Sequence, residues 1–361
     1  MSDLQKSIVS LTLLATSCDA AIPAIEASDG TVDDELRDLD HADLNAIHRD
    51  FLSLLSLIYT STTKIALCLK PSKPVYSASI APLNDLTKNV GNLSQNVRLI
   101  TAKHGMTLLK EYKSVATGVI GPLAQLAKAL LQNATSSGPP TSDESIVRRA
   151  AEVHHAIDKG RGLSASNHVA IRSIWKMDQA SLGDAMNELN EMSTPDPNGY
   201  SDFDDGWDEL GIEPSKEMTL TELERLKLMQ PIVKLSVLLH KNVTKRVLSA
   251  PFETLPVQDH FNPLLDKLVE DSTMLSAAVD ELVSTAYAPQ DPIELSESLR
   301  RFTDVTETLS ARLSSILLSP TVENLLKSIS KETPAQKWFD TCFNQLDKST
   351  EQLSKLLSDI H

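Results

Sequence analysis

The 361-residue chain carries 49 Asp and Glu against 34 Lys and Arg, a formal charge of −15, with 41% hydrophobic and only 4% aromatic residues. A surface this acidic repels phosphate backbones and anionic lipid heads, which counts against general nucleic-acid or membrane binding. Three widely spaced cysteines, Cys18, Cys68 and Cys342, suit free thiols in a reducing compartment better than a disulfide framework.

Low Gly and few aromatics, with abundant Leu, Ala, Ser, Lys and Glu, favour helices over sheets. Leu4, Ile8, Leu11, Ala15, Cys18, Ile22 and Ile25 advance by fours and threes and predict a first helix, stopped by Ser28-Asp29-Gly30. The start, Met1-Ser2-Asp3-Leu4, lacks the cationic opening of a signal peptide. Without an uninterrupted run of about 18 apolar residues, no transmembrane helix is expected. A second stripe runs from Leu44 through Phe51, Leu54 and Ile58 to Leu69, and a third from Leu83 to Ile100. A fourth helix spans about 105–134 with a kink expected at Pro122, and Gly138-Pro139-Pro140 marks a loop. Ile146, Ala150, Val153 and Ile157 predict a fifth helix, and Ser164 is placed to cap a sixth that carries Val169, Trp175, Leu182 and Leu189.

Residues 193–218, STPDPNGYSDFDDGWDELGIEPSKEM, break the pattern with many acids and a single Lys216. Pro and Gly punctuation and this charge predict a linker. Phe203, Trp207 and Leu210 can fill pockets on a partner while Asp204, Asp205, Asp208 and Glu209 meet a basic rim. Equally, Trp207 and Phe203 can clip the segment onto the protein's own bundles. Thr194 before Pro195, and Ser201 with Asp204 three residues on, suit phosphorylation. Beyond the segment, Thr219 to Glu222 resembles a capping box, and a kink is expected at Pro231, which lacks an amide donor. Further stripes follow from Leu223 to Val247, Phe261 to Leu282 and Leu295 to Ile316, with a short piece near Leu325 and a last stripe from Phe339 to Ile360. These C-terminal stripes suit a four-helix arrangement.

No motif supplies convincing chemistry. Adjacent His154 and His155 point about 100° apart on a helix and cannot easily share a metal. The cysteines fall on or beside apolar stripes, as core residues do. Gly160-Arg161-Gly162 lacks the rest of a phosphate loop. Asp202, Asp204 and Glu213 match some positions of a calcium loop, but Trp207 stands where its turn needs Gly. Lys241, Lys245 and Arg246, and Arg148 with Arg149, are too few for a nucleic-acid face. His240 sits on an apolar stripe and is expected to be a core histidine. No catalytic residue, cofactor or metal ligand is assigned.

Several segments carry a family resemblance. They are GLSASNHVAIRSIW (Gly162–Trp175), DAMNEL (Asp184–Leu189), FDDGWDELG (Phe203–Gly211), DELVSTAYAPQD (Asp280–Asp291) and WFDTCFNQL (Trp338–Leu346). In this order they resemble the cyclin-D-interacting, maternal Id-like family (GCIP). The resemblance implies a non-enzymatic, all-helical protein of cytoplasm and nucleus, with bundles like those of the vinculin and talin class. It further implies binding to D-type cyclins and helix-loop-helix factors, with a damping effect on proliferation or transcription.

The expected architecture is all-α: two antiparallel helical bundles, 1–192 and 219–361, joined by an acidic linker at 193–218. The expected activity is that of a protein-interaction adaptor. The alternative is a vinculin-like cytoskeletal or membrane-associated scaffold.

Overall fold

The computed structural model describes residues 1–31, 43–136, 142–193, 218–250, 258–319, 322, 324 and 334–358. The helices are α1 (Asp3–Glu26), α2 (Leu44–Cys68), α3 (Tyr76–Arg98), α4 (Met106–Thr135), α5 (Asp143–Gly160), α6 (Asn167–Ser193), α7 (Leu220–Arg246), α8 (Gln258–Ser284), α9 (Pro292–Leu317) and α10 (Ala335–Ser358). A short 3-10 turn, Ala102–His104, precedes α4, and there is no strand among the described residues. The fold is an all-α helical bundle. α4 and α7 continue through Pro122 and Pro231, and the piece near Leu325 lies outside the described residues.

Two compact units emerge, one of Met1–Ala170 with Gln258–Pro263, the other of Ile171–Val257 with Leu264–His361. In the first, α1 packs on α3 and α4, α2 on α3 and α5, and α4 on α5. Five helices therefore close a ring in the order α1, α3, α2, α5, α4. Its interior is aliphatic with a few rings: Leu11, Leu14, Phe51, Leu55, Leu86 and Tyr112 are all fully buried.

Polar contacts fix the directions. Asp19 pairs with Lys128 at 2.8 Å, and the Lys113 ammonium donates to the carbonyls of Glu26 and Ser28 at 2.7 and 2.8 Å, so α1 and α4 run antiparallel. His154 contacts Thr63 at 3.1 Å and Asp143 accepts from the Ser72 amide at 2.9 Å, which sets α2 against α5 the same way. By contrast Ser7 meets Ser79 at 2.9 Å and Ser10 donates to Asn84 at 3.1 Å, so the register of α1 and α3 advances together and this pair is parallel.

The second unit holds α7, α9, α10 and most of α6 and α8. Trp175 of α6 donates its indole N–H to the Leu268 carbonyl at 3.0 Å, Ser272 donates to Asp178 at 2.6 Å, and Tyr287 donates to Glu188 at 2.5 Å. First and third helices are again parallel. α10 packs on α7 and α9, and the Arg246 guanidinium lies over the Trp338 ring at 5.5 Å. An ion pair between Arg312 and buried Asp271 ties α9 to α8. Among the described residues the C-terminal group therefore has five long helices where four were expected, because Trp175, Leu182 and Leu189 bury α6 in it. The expected boundary at 192/193 and the observed one at 170/171 differ for the same reason.

Two further expectations need correction. α6 begins at Asn167, and Ser166, not Ser164, occupies its cap: the Ser166 carbonyl accepts from Ala170 at 3.1 Å and its hydroxyl meets His168 at 3.0 Å. The Ser164 amide donates instead to Glu111 at 3.1 Å. α1, α2 and α4 are also long and apolar enough to cross a membrane by length and composition. Ser and Thr interrupt their apolar runs but carry no charge, so counting unbroken runs overlooks them.

Just before α4 the chain passes through Gly105 with φ of 104°. A Cβ there would stand 1.9 Å from Cγ of Asn167. That side chain accepts from the Leu108 amide at 3.0 Å and donates to Asn262 at 3.3 Å, and Asn262 donates to the Lys103 carbonyl at 2.6 Å. Asn167 thus satisfies one of the orphan amides in the first turn of α4. Gly105→Ala is expected to destabilise the protein by at least about 2 kcal/mol, from backbone strain and the displaced amide. Urea unfolding checks this, and a variant as stable as the parent would show that the turn has another accessible conformation.

Candidate functional site

The residues assigned to partner contact from the sequence, Phe203, Asp204, Asp205, Trp207, Asp208, Glu209 and Leu210, lie outside the described residues, as do Thr194 and Ser201. Both flanks of the acidic stretch are described, and both are held on α7 within the second unit. On the N-terminal side the Ser193 hydroxyl donates to the Leu189 carbonyl at 2.7 Å and accepts from the Gln230 amide at 2.8 Å. On the C-terminal side α7 opens with the expected capping box. The Glu222 amide donates to the Thr219 hydroxyl at 3.3 Å, and the Glu222 carboxylate accepts from the Thr219 amide at 2.7 Å. Thr219 and Gln230 are eleven residues apart on one helix, about 16 Å. Both described flanks, Ser193 and Thr219, thus meet the same helix.

Glu222 does more than cap. Its second oxygen accepts from the Gln290 backbone amide at 2.8 Å, and the Gln290 side chain returns to the Glu222 carbonyl at 3.3 Å. Arg225 approaches the Gln290 amide oxygen at 3.5 Å. The start of α7 is thereby clamped to the connection between α8 and α9. Donation from the Thr219 amide, then from the Gln290 amide, holds the Glu222 carboxyl below its usual pKa.

Deeper in the same unit, His240 and Trp175 stack with centroids 4.3 Å apart. His240 Nε2 lies 2.9 Å from the Ser272 hydroxyl, which donates onward to Asp178. Because the serine proton goes to the carboxylate, Nε2 must carry the imidazole proton and Nδ1 is a bare acceptor. Nδ1 has no hydrogen-bond partner among the described residues, which agrees. Burial pushes the imidazole pKa down to about 4. Serine sits between acid and histidine here, and both Ser272 and His240 are fully buried. The serine gives its proton to the carboxylate rather than presenting it to the imidazole, so the set is a structural hydrogen-bond chain and not a nucleophile with its base.

Other sequence candidates have structural partners. His154 stacks on Tyr59 at 3.9 Å and bonds Thr63, with Arg161 over the same tyrosine ring at 5.5 Å. No group of potential metal ligands occurs among the described residues. Cys18 and Cys342 are buried in the core, and burial raises their thiols to about 12 and about 11. The described segments among those that carry the family resemblance are rich in such pins and core residues: Asn167 and Trp175, Ala185 and Leu189, Leu282 and Gln290, Phe339 and Leu346 are all buried.

Compared with known families, residues 50–194 match a family model described as Grap2 and cyclin-D-interacting, N-terminal, and residues 203–311 match its C-terminal counterpart. No curated protein sequence matches the chain. The C-terminal match begins at Phe203, so the acidic-aromatic residues fall inside it.

Two stability effects are expected. Unfolded histidine binds a proton near pH 6.5 while folded His240 stays neutral to about 4, so stability falls as pH drops through that window, by on the order of 3 kcal/mol. Urea unfolding at several pH values checks this, and His240→Gln should flatten that part of the profile; parallel profiles would assign the acid sensitivity elsewhere. Glu222→Ala should cost about 2 kcal/mol by loosening the cap and leaving the Gln290 amide unmet. Its effect should shrink as pH falls below the usual carboxylate range, because the carboxylate form is the one the clamp stabilises. A melting temperature equal to the parent's at pH 7 would show the clamp to be redundant.

Proposed function

The chain belongs to the Grap2 and cyclin-D-interacting family, and from that premise we propose that it is a non-enzymatic adaptor of cytoplasm and nucleus. It binds D-type cyclins and helix-loop-helix factors and restrains cell-cycle progression and transcription. The observation that carries this reading is the family match from Phe203 onward, which includes the acidic-aromatic residues within the family's C-terminal part. Phe203, Trp207 and Leu210 supply apolar anchors and the flanking carboxylates supply steering toward a basic partner surface. A helical protein with no basic region adds no phosphate contacts when it pairs with a DNA-binding factor, so pairing withholds that factor from DNA.

A second reading, a vinculin-like cytoskeletal or membrane-associated scaffold, is supported by the length and apolar composition of α1, α2 and α4. Opening the first unit would release an amphipathic helix.

Hydrogen exchange on the full chain, alone and with a D-type cyclin, separates these. The adaptor predicts protection over residues 193–218 only when cyclin is present, and Phe203→Ala with Trp207→Ala should weaken binding at least about tenfold. Unchanged affinity in that double variant sinks the assignment of these residues, and co-sedimentation with vesicles or actin in place of cyclin binding supports the scaffold.

A further inference from the structure

A cleft of about 360 Å³ opens between α2 and α3 in the first unit. Four residues from Asp50 to Leu57 line one wall and four from Asn92 to Leu99 the other, each set spaced i, i+3, i+4, i+7. Two helix ridges thus face each other across a furrow about 10 Å long on each helix, the shape that accepts a third helix. Leu57 is 52% exposed, and Leu54 and Leu99 are half-buried. They are not part of the sealed core.

A second observation concerns Asn96, which lines the cleft and is only 7% exposed. Its amide nitrogen donates to the Ile47 carbonyl at 3.2 Å. Its Oδ1 has no partner among the described residues. A buried acceptor without a donor is unfavourable, and a donor brought from outside removes the penalty. The bond to Ile47 places Asn96 within one turn of Asp50, the one charge in the lining. Two acceptors therefore share a level of the cleft.

We propose that the cleft docks an amphipathic helix of a partner protein. That helix lays an apolar i, i+3, i+4 stripe on Leu54, Leu57 and Leu99 and sets an arginine or lysine over Asp50 and Asn96. Charge and hydrogen bonding decide among occupants. A second copy in a two-fold contact brings a second Asp50 and no cation from the same lining. A bilayer interior offers no donor. A cationic helix supplies both the charge and the proton, and the chain's −15 charge steers it inward. The surface uses residues of the first unit alone, so it stands or falls separately from the role given to Phe203 to Leu210.

The test titrates the full chain with a synthetic amphipathic helix of about five turns, with a leucine stripe and Arg and Lys beside it, and with a matched peptide carrying Glu in their place. Affinity comes from fluorescence anisotropy and location from hydrogen exchange. Saturable binding of the cationic peptide is expected, with protection over 50–57 and 92–99. Leu57→Glu should weaken it at least about tenfold, although the added negative charge would strengthen mere electrostatic attraction. Val147→Glu, at an exposed residue of α5, should bind like the parent. Asp50→Lys should shift preference to the Glu peptide. Circular dichroism verifies that each variant is folded. Equal affinity for parent and Leu57→Glu, or protection confined to other segments, overturns the proposal. So does a dimer in sedimentation, or vesicle flotation, that Leu57→Glu abolishes, since either gives the cleft a different occupant.

Discussion

A helix with one apolar stripe is stable only when that stripe is covered, and five such helices cover one another by closing a ring. The first unit meets it by a closed ring, and in the second α10 packs on α7 and α9. Aliphatic contact supplies most of the driving force but has no direction, so alternative registers would bury similar area. Direction comes from a few buried polar pairs, Ser7 with Ser79, Asn96 with the Ile47 carbonyl, Asn167 with the Leu108 amide, and the His240–Ser272–Asp178 relay. Each of these bonds forms in one register and is lost in others, which makes mispairing costly.

Ring closure also dictates what remains for function. Buried faces are used up by the core, and the chemistry-bearing groups among them are neutralised by burial: His240 is held unprotonated and the Cys18 and Cys342 thiols protonated. What is left among the described residues is outward-facing helix surface and the α2–α3 cleft. The family assignment, Grap2 and cyclin-D-interacting, is likewise to proteins described by what they bind.

Much of this was legible in the chain. The stripes located the helices because a 3.6-residue period survives any tertiary arrangement, and the Thr219–Glu222 box was readable because capping is local. His240 was placed correctly in the core, since a lone histidine on an apolar stripe has few other fates. Parallel α1 and α3 were not legible: a stripe is the same whichever way its helix points. Membership of α6 in the second unit was hidden as well, because Trp175 looks alike as a core residue of either group. The cleft was missed because Leu54 continues the apolar pattern of α2, whereas Leu55, its neighbour, is the residue that enters the core. One step of 100° separates the two, and periodicity alone does not resolve it. The Phe203–Leu210 assignment rests on composition, and the described structure bears only on its flanks.

The parallel pairing of α1 and α3 also has a kinetic side. Helices α2 and α4 each pack on the helix that follows them, α2 on α3 and α4 on α5. α1 cannot fold back as a hairpin on its successor. It must reach α3 and α4, and its ion pair from Asp19 to Lys128 spans 109 residues. Loop entropy makes that only about 0.6 kcal/mol dearer per doubling of length, yet folding rate follows contact separation closely. α1 therefore has no partner on a nascent chain until α3 has been made, 72 residues on from Ser7 to Ser79, and its ion pair to α4 waits for 109.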